Sequence, residues 1–370
     1  MFSVLFTFIL YNAILFLCPL FCNMGKKGTF MAYLVIAVLS AIRYDIGADY
    51  ENYAYIIEQL RSALNNGYSF KDILLVFSKE PAMIVLTYLF SWSEYSYVGV
   101  VGIISVLNLC LLYKVLERYK IHAWGLFLYI VTFMLFQGWD WVRQSVAMHM
   151  FLFSLQYIES RSMGKYMLCV LFASMFHYSA LCLIPFYFIY SIRIRPIYLL
   201  MFSIGLFVLA ELGVFNNVKV FLEFLMAMYN DFYVGTQHTS AGANTYHSVT
   251  YIFTMLWYIF IIGMSLKADN HLVLFFFAGV VLYAIAGGNL LLIRMAYYFL
   301  GLQLLLLPLA FRSFEGGTLL RTLAIGMLMV QFLVFNKVYI GANFRGCTPY
   351  ETVFSDNCHF KLYRFRDYKK

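Results

Sequence analysis

Apolar runs of roughly fifteen to twenty-two residues, separated by short polar segments, recur along nearly the whole 370-residue chain. This pattern leaves few folds open. Backbone amides in such runs must be satisfied within the segment if lipid surrounds them, which selects the α-helix. A lipid-embedded β-barrel is excluded, because its strands alternate apolar and polar about ten residues at a time. Composition closes the other exits. Hydrophobic residues make up 63% and charged residues 12%, against about 45–50% and about 25% in soluble domains. Too little polar surface remains to cover a water-soluble enzyme, a nucleic-acid binder or a disordered chain. The reading is an all-α, polytopic transmembrane helical bundle.

The first apolar run, 1–22, has no basic residue ahead of it and reads as a membrane helix rather than a cleaved signal. Further runs lie at about 29–43, 95–113, 121–137, 143–158, 165–177, 178–191, 196–215, 248–266, 271–288, 292–311 and 318–340. Together they predict about twelve crossings. Residues 81–92 open at Pro81 and are too short to cross, so a short or re-entrant helix is expected. The formal charge of +8 reflects Lys and Arg gathered on cytoplasmic loops, not a polyanion stripe. Lys26, Lys27, Lys114, Arg118, Lys120, Arg161, Lys165, Arg193, Arg195, Lys267, Arg312 and Arg321 fall on one side. The other side carries two long loops, 44–80 and 216–247, rich in Tyr, Asn and acidic residues, and loops of that length usually carry function. One membrane domain is expected over 1–354, followed by a basic tail, 355–370, that falls on the outer side as an exception to the charge rule. Five of the seven cysteines, Cys18, Cys22, Cys110, Cys169 and Cys182, lie in apolar runs as small hydrophobes. No Cys/His spacing resembles a metal site, and no cofactor is implied.

Four outer-side stretches and one short-helix start carry ionisable groups. In "AIRYDIGADYENYAYI", residues 41–56, Arg43 stands at the end of the second helix, followed by Asp45, Asp49, Tyr50 and Tyr53. Carboxylates bind sugar hydroxyls or act as bases, and a guanidinium grips phosphate. The alternative is a polar loop behind a snorkelling arginine. In "FQGWDWVRQSVAMHM", residues 136–150, Arg143 and Gln144 open a membrane helix, where Asp140 is an alternative partner for Arg143. His149, deeper in that helix, reads as a packed, hydrogen-bonded histidine. His177 sits between two apolar runs, as a proton relay, a phosphate ligand or a helix-breaking turn residue. Arg294 lies within an apolar span near the outer face, as a functional charge or half of a structural pair. Glu80, before Pro81, is either a helix cap or a base. Arginines gathered at one mouth of a bundle repel one another unless an anion or carboxylates intervene, and a lipid diphosphate is their natural ligand. No P-loop, dinucleotide fingerprint, GxSxG or HExxH occurs.

These residues also carry a resemblance. "RYDIGADYENY" at 43–53 resembles the arginine-led, glycine–acidic–tyrosine motif of the EpsG family of polysaccharide polymerases, related to Wzy-type O-antigen polymerases. "EP" at 80–81, "RQSVA" at 143–147, "FHYSAL" at 176–181, "RMAYYF" at 294–299 and "PYETVF" at 349–354 are similar to its later signatures, in the same order. The tail beyond 354 has no counterpart. The resemblance implies a glycosyltransferase at the periplasmic face of the bacterial inner membrane. It would join undecaprenyl-diphosphate-linked repeat units into a polymer such as O-antigen, with the lipid diphosphate as leaving group. Its partners would be that lipid-linked oligosaccharide, the bilayer and a chain-length regulator, with no nucleic acid. Arg143 and Arg294 would hold the donor diphosphate, and Arg43 the acceptor's diphosphate or the donor's second phosphate. Asp49, Glu80 or His177 would take the proton. Asp45, Tyr50, Tyr53, Gln144 and Tyr298 would hold substrate. A lipid-linked oligosaccharide flippase is the rival expectation, although it would need charge along its whole transit path.

Overall fold

The computed structural model describes residues 2–77, 80–217, 246–268, 270–287, 289–312, 318–343 and 346–355. The described residues are helical apart from turns, short segments and one antiparallel bridge, Arg43 to Thr352. They group into two compact units. One comprises Met1–Phe153, Leu171–Tyr178 and Gly317–Lys370; the other comprises Ser154–Val170 and Ser179–Gly316. Most of the expected loop 216–247 and the tail beyond 355 lie outside the described residues.

In the first unit, α1 (Phe2–Cys22) packs on α2 (Lys26–Ile42) and on α7 (His122–Tyr129), which continues as a π-helix over Ile130–Gly138. Helix α2 packs in turn on α6 (Ser96–Tyr119). Within lipid, helices gain little from burying apolar surface against each other, so close approach and polar contacts hold them. Both are present. A Cβ on Gly102 of α6 would lie 3.5 Å from the Ala41 carbonyl oxygen of α2, so the two backbones come close there. Asn108 of α6 donates to Ser145 Oγ at 2.8 Å and accepts from His149 Nδ1, both on α8 (Val142–Glu159). His149 is fully buried and hydrogen-bonded, as its position in the sequence suggests.

The outer segment 44–80 is more ordered than a loop. It forms α3 (Tyr50–Asn65) and α4 (Phe70–Phe77). Helix α3 buries Tyr50, Tyr53, Ala54, Ile57, Leu60 and Ala63, an apolar stripe at helical spacing, and packs on α6 and on α5 (Pro81–Phe90). Helix α5 has ten residues and is thus about 15 Å long, half the hydrocarbon thickness, as the sequence suggests.

In the second unit, helix Asn270–Ala286 packs along Leu290–Leu300, and helix Pro196–Glu211 packs on Val249–Met264. Residues 178–191, expected as one membrane helix, are instead a 3-10 segment, Tyr178–Leu183, and one α turn, Phe186–Ile189. Pro185 falls between them and cannot donate a helix hydrogen bond. Among the described residues, five helical stretches are long and apolar enough to cross a membrane: Ser3–Cys22, Gly25–Ile42, Ser96–Tyr119, Leu292–Arg312 and Thr322–Gly341. Six shorter apolar helices of 10–17 residues and the broken stretch Tyr178–Ile189 accompany them among the described residues. A total near twelve depends on most of those short helices crossing as well.

Candidate functional site

The candidate site lies in the first unit, where the ends of α2, α5, α8 and α9 (Met163–Phe176) come together with the start of α3. Helix α2 stops at Ile42 because Arg43 turns to extended backbone, with φ −62° and ψ 143°. There the chain pairs with the segment 346–355. Tyr44 N–H donates to the Glu351 carbonyl at 2.9 Å, Val353 N–H to Ile42 at 2.9 Å and Gly47 N–H to Gly346 at 3.3 Å. Tyr350 donates its hydroxyl to the Leu39 carbonyl at 2.8 Å, and Tyr11 donates to the Cys347 carbonyl at 2.7 Å. The "PYETVF" motif is therefore a strap over the arginine-led loop.

That loop turns at Asp45, with φ +51°, and Gly47, with φ +104°. Only glycine fits the second position: a Cβ there would meet the Trp139 carbonyl oxygen at 2.8 Å. The close approach lets Asp49 N–H donate to Asp140 Oδ1 at 2.8 Å. Helix α3 then starts, and its Tyr53 ring lies under the Arg143 guanidinium, 5.2 Å from centroid to carbon.

Arg143 reaches Glu80 Oε2, and His177 Nδ1 lies 3.3 Å from Glu80 Oε1. A carboxylate is thus held between a guanidinium and an imidazole brought from three helix ends. Glu80 caps nothing with its side chain. Its carboxylate turns to Arg143 and His177 instead, and Pro81 at the first helical position needs no N–H acceptor. Burial alone would push the Glu80 carboxyl up, but the His177 hydrogen bond and the Arg143 charge outweigh it and bring it down to about 2. The Arg143 and His177 side chains retain 21% and 18% of their exposure, so the cluster is open at one edge.

Several expected ligands are placed otherwise. Arg43 is 1% exposed, not at an open mouth. Its guanidinium donates to the Ser40 carbonyl, to Ser105 Oγ at 2.8 Å and to the Trp139 carbonyl at 3.3 Å. These bonds tie α2 to α6 and to the turn before α8, a structural task that removes it from a phosphate ligand set. Tyr50 and Tyr53 are 3% and 5% exposed and pack inward, because the α3 stripe that carries them is its buried face. Gln144 is buried as well. In the second unit, Tyr298 is fully buried, with its hydroxyl 2.9 Å from Ser179 Oγ, so it is a packing residue there. Arg294 stands half-buried in the helix Leu290–Leu300, whose first turn Asn289 caps by accepting from Leu292 N–H at 3.1 Å. Asp45 and Asp49 remain partly exposed beside the cluster's own loop.

Sequence reasoning overlooked Ser40, Ser105 and Trp139 as holders of Arg43. A signal was present: Ser105 and Asn108, three apart on the apolar helix α6, mark one polar face.

A family model, the EpsG family, matches residues 29–352, from the second helix to the strap. No curated protein and no solved structure matches the chain. Five of the six motifs that carry the resemblance lie wholly within the matched span, and "PYETVF" runs two residues past it. The chain belongs to the EpsG family, and that membership is consistent with a polysaccharide-polymerase-like membrane protein.

Proposed function

We propose that this chain is a bacterial surface-polysaccharide polymerase of the O-antigen type. It joins undecaprenyl-diphosphate-linked repeat units at the periplasmic face of the inner membrane, with the lipid diphosphate leaving. The observation that carries the reading is the Glu80 carboxylate held between Arg143 and His177 at the edge of the first unit.

Glu80 is a poor base while the Arg143 guanidinium and the His177 ring share it, so its role is orientation. A carboxylate at Nδ1 favours the tautomer in which Nε2 of His177 is the basic nitrogen. The acceptor sugar hydroxyl then bonds to the anomeric carbon of the donor, and its proton passes to Nε2. The bond from that carbon to the diphosphate oxygen breaks with its electron pair, and undecaprenyl diphosphate departs with one more negative charge. Arg143 stabilises that charge. Asp45 and Asp49, on the loop beside the cluster, bind sugar hydroxyls. Arg294 is a further diphosphate ligand on its own chemistry, a half-buried guanidinium in an apolar helix.

The test is a gel profile of surface lipopolysaccharide from the native strain lacking this gene. Core carrying one repeat unit, with the ladder gone, is expected. Core without any repeat unit would assign export instead, and an unchanged ladder would refute the O-antigen reading. Complementation with Arg143→Ala or His177→Ala should leave single-repeat core, with the protein still in the membrane. A normal ladder from both variants would refute the site.

A further inference from the structure

A second feature of the first unit lies away from this cluster, at the opposite end of α2. A groove of about 430 Å³ runs between α1, α7 and the helix Thr318–Val334. Phe16, Leu20, Trp124, Phe127 and Leu328 line it with apolar surface, and Asn23 joins them just past the end of α1. It is open to the surroundings, since Phe16, Leu20 and Trp124 are 50%, 58% and 48% exposed.

The groove has a charged end. Both walls reach it: α1 ends at Cys22, a few residues before Lys26 and Lys27, and α7 starts just after Lys120. Lys114 and Arg118 lie on the last turns of α6 beside them, and all five basic side chains are exposed. Facing them is Glu117, which is near both Lys26 and Lys114 and is already engaged by His122 Nε2 at 2.7 Å. A greasy slot that opens onto a surplus of exposed ammonium and guanidinium groups matches one amphiphile: an apolar chain bearing an anionic head.

We propose that this groove is a binding site for an anionic phospholipid, with one acyl chain between α1 and α7 and its phosphate held by Lys26, Lys27 and Lys120. The positive-inside rule puts that end in the cytoplasmic leaflet, where anionic lipids supply such a head. A polyprenyl tail reaching in from the outer leaflet would bring no anionic head to this basic end. The site is independent of the polymerase reading, because α2 carries Lys26 and Ile42 at its opposite ends, about 25 Å apart.

Trp124 is a reporter built into the wall. Trp139, Trp141 and Trp257 are buried, and Trp92→Phe removes the other exposed indole. In this background the full-length protein is placed in vesicles of equimolar phosphatidylglycerol and phosphatidylcholine, with either lipid brominated in its acyl chains. Brominated phosphatidylglycerol is expected to quench roughly three-fold or more effectively than brominated phosphatidylcholine, and Trp124→Phe should remove the difference. Joint substitution Lys26→Gln, Lys27→Gln and Lys120→Gln, all at exposed positions, should bring the two lipids level. Equal quenching in the parent protein would overturn the proposal, as would a preference that survives charge removal. Relief of the phosphatidylglycerol quench by added undecaprenyl phosphate, but not by unbrominated phosphatidylglycerol, would assign the groove to the polyprenyl chain instead. Native mass spectrometry of the unsubstituted protein should show phosphatidylglycerol retained after delipidation, and its loss alongside phosphatidylcholine would also refute the site.

Discussion

Glu80→Gln keeps the shape of the side chain and removes the charge that Arg143 and His177 share. The wild-type carboxyl is held at about 2, where 4.5 is ordinary. At about 1.4 kcal/mol per tenfold, that gap is worth about 3 kcal/mol of folded-state stabilisation. An independent estimate agrees: removing one partner of a buried ion pair costs about 3–5 kcal/mol, because the other charge stays behind unpaired. The Glu80 side chain is only 9% exposed, so solvent screening takes little of this away. The partners should therefore be strongly coupled. Glu80→Gln, Arg143→Gln and the double variant can be unfolded by denaturant in mixed micelles, with tryptophan fluorescence as the signal. Each single change is expected to destabilise by about 3 kcal/mol, and the double variant by little more than either alone, which gives a coupling energy of about 2–3 kcal/mol. Polymer formation should fall by about a hundred-fold or more in Glu80→Gln, because His177 loses its orienting carboxylate. Additive losses, with coupling near zero, would mean that the pair does not form and that the site has been assembled wrongly.

The same carboxylate sets an acid limit. Its folded-state value is depressed, so its contribution is complete above about pH 4.5 and drains away as pH falls towards 2. Melting curves of the wild type should show this loss below pH 4.5, and Glu80→Gln should lack that component. Gly47→Ala places a Cβ 2.8 Å from the Trp139 carbonyl oxygen at φ +104°. A loss of about 1–3 kcal/mol and a shortened polymer ladder are expected, and a wild-type melting temperature would refute the close approach. Asn108→Ala strips Ser145 and His149 of their shared partner. It should cost about 1–3 kcal/mol while the ladder persists at low growth temperature, and loss of polymer from well-folded protein would give this trio a catalytic task instead. Ending the chain after Gly341 removes the strap across residues 42–47 and should abolish the ladder, whereas ending it after Ser355 should preserve it. Equal ladders from the two truncations would deny the strap its role.

Lipid-compatible helices were legible in the sequence by itself, because run length and apolarity are local properties that the bilayer reads one segment at a time. The short helix at Pro81 and the buried histidine at 149 were legible for the same reason. Helix α3 was also within reach: Tyr50, Tyr53, Ile57 and Leu60 recur at helical spacing, but the polar content of the segment suggested a loop. Pro185 likewise marked the break that divides residues 178–191. The motifs brought out the residue types of the site, since guanidinium, carboxylate and imidazole declare their chemistry wherever they lie. Partnership is a different matter. Glu80 meets Arg143 63 residues away and His177 97 residues away. No local pattern encodes such distances. Which way a side chain faces depends on what packs against its helix, and so only the tertiary structure put Arg43 into the core, turned Tyr50 and Tyr53 inward and left Arg143 and His177 at an open edge.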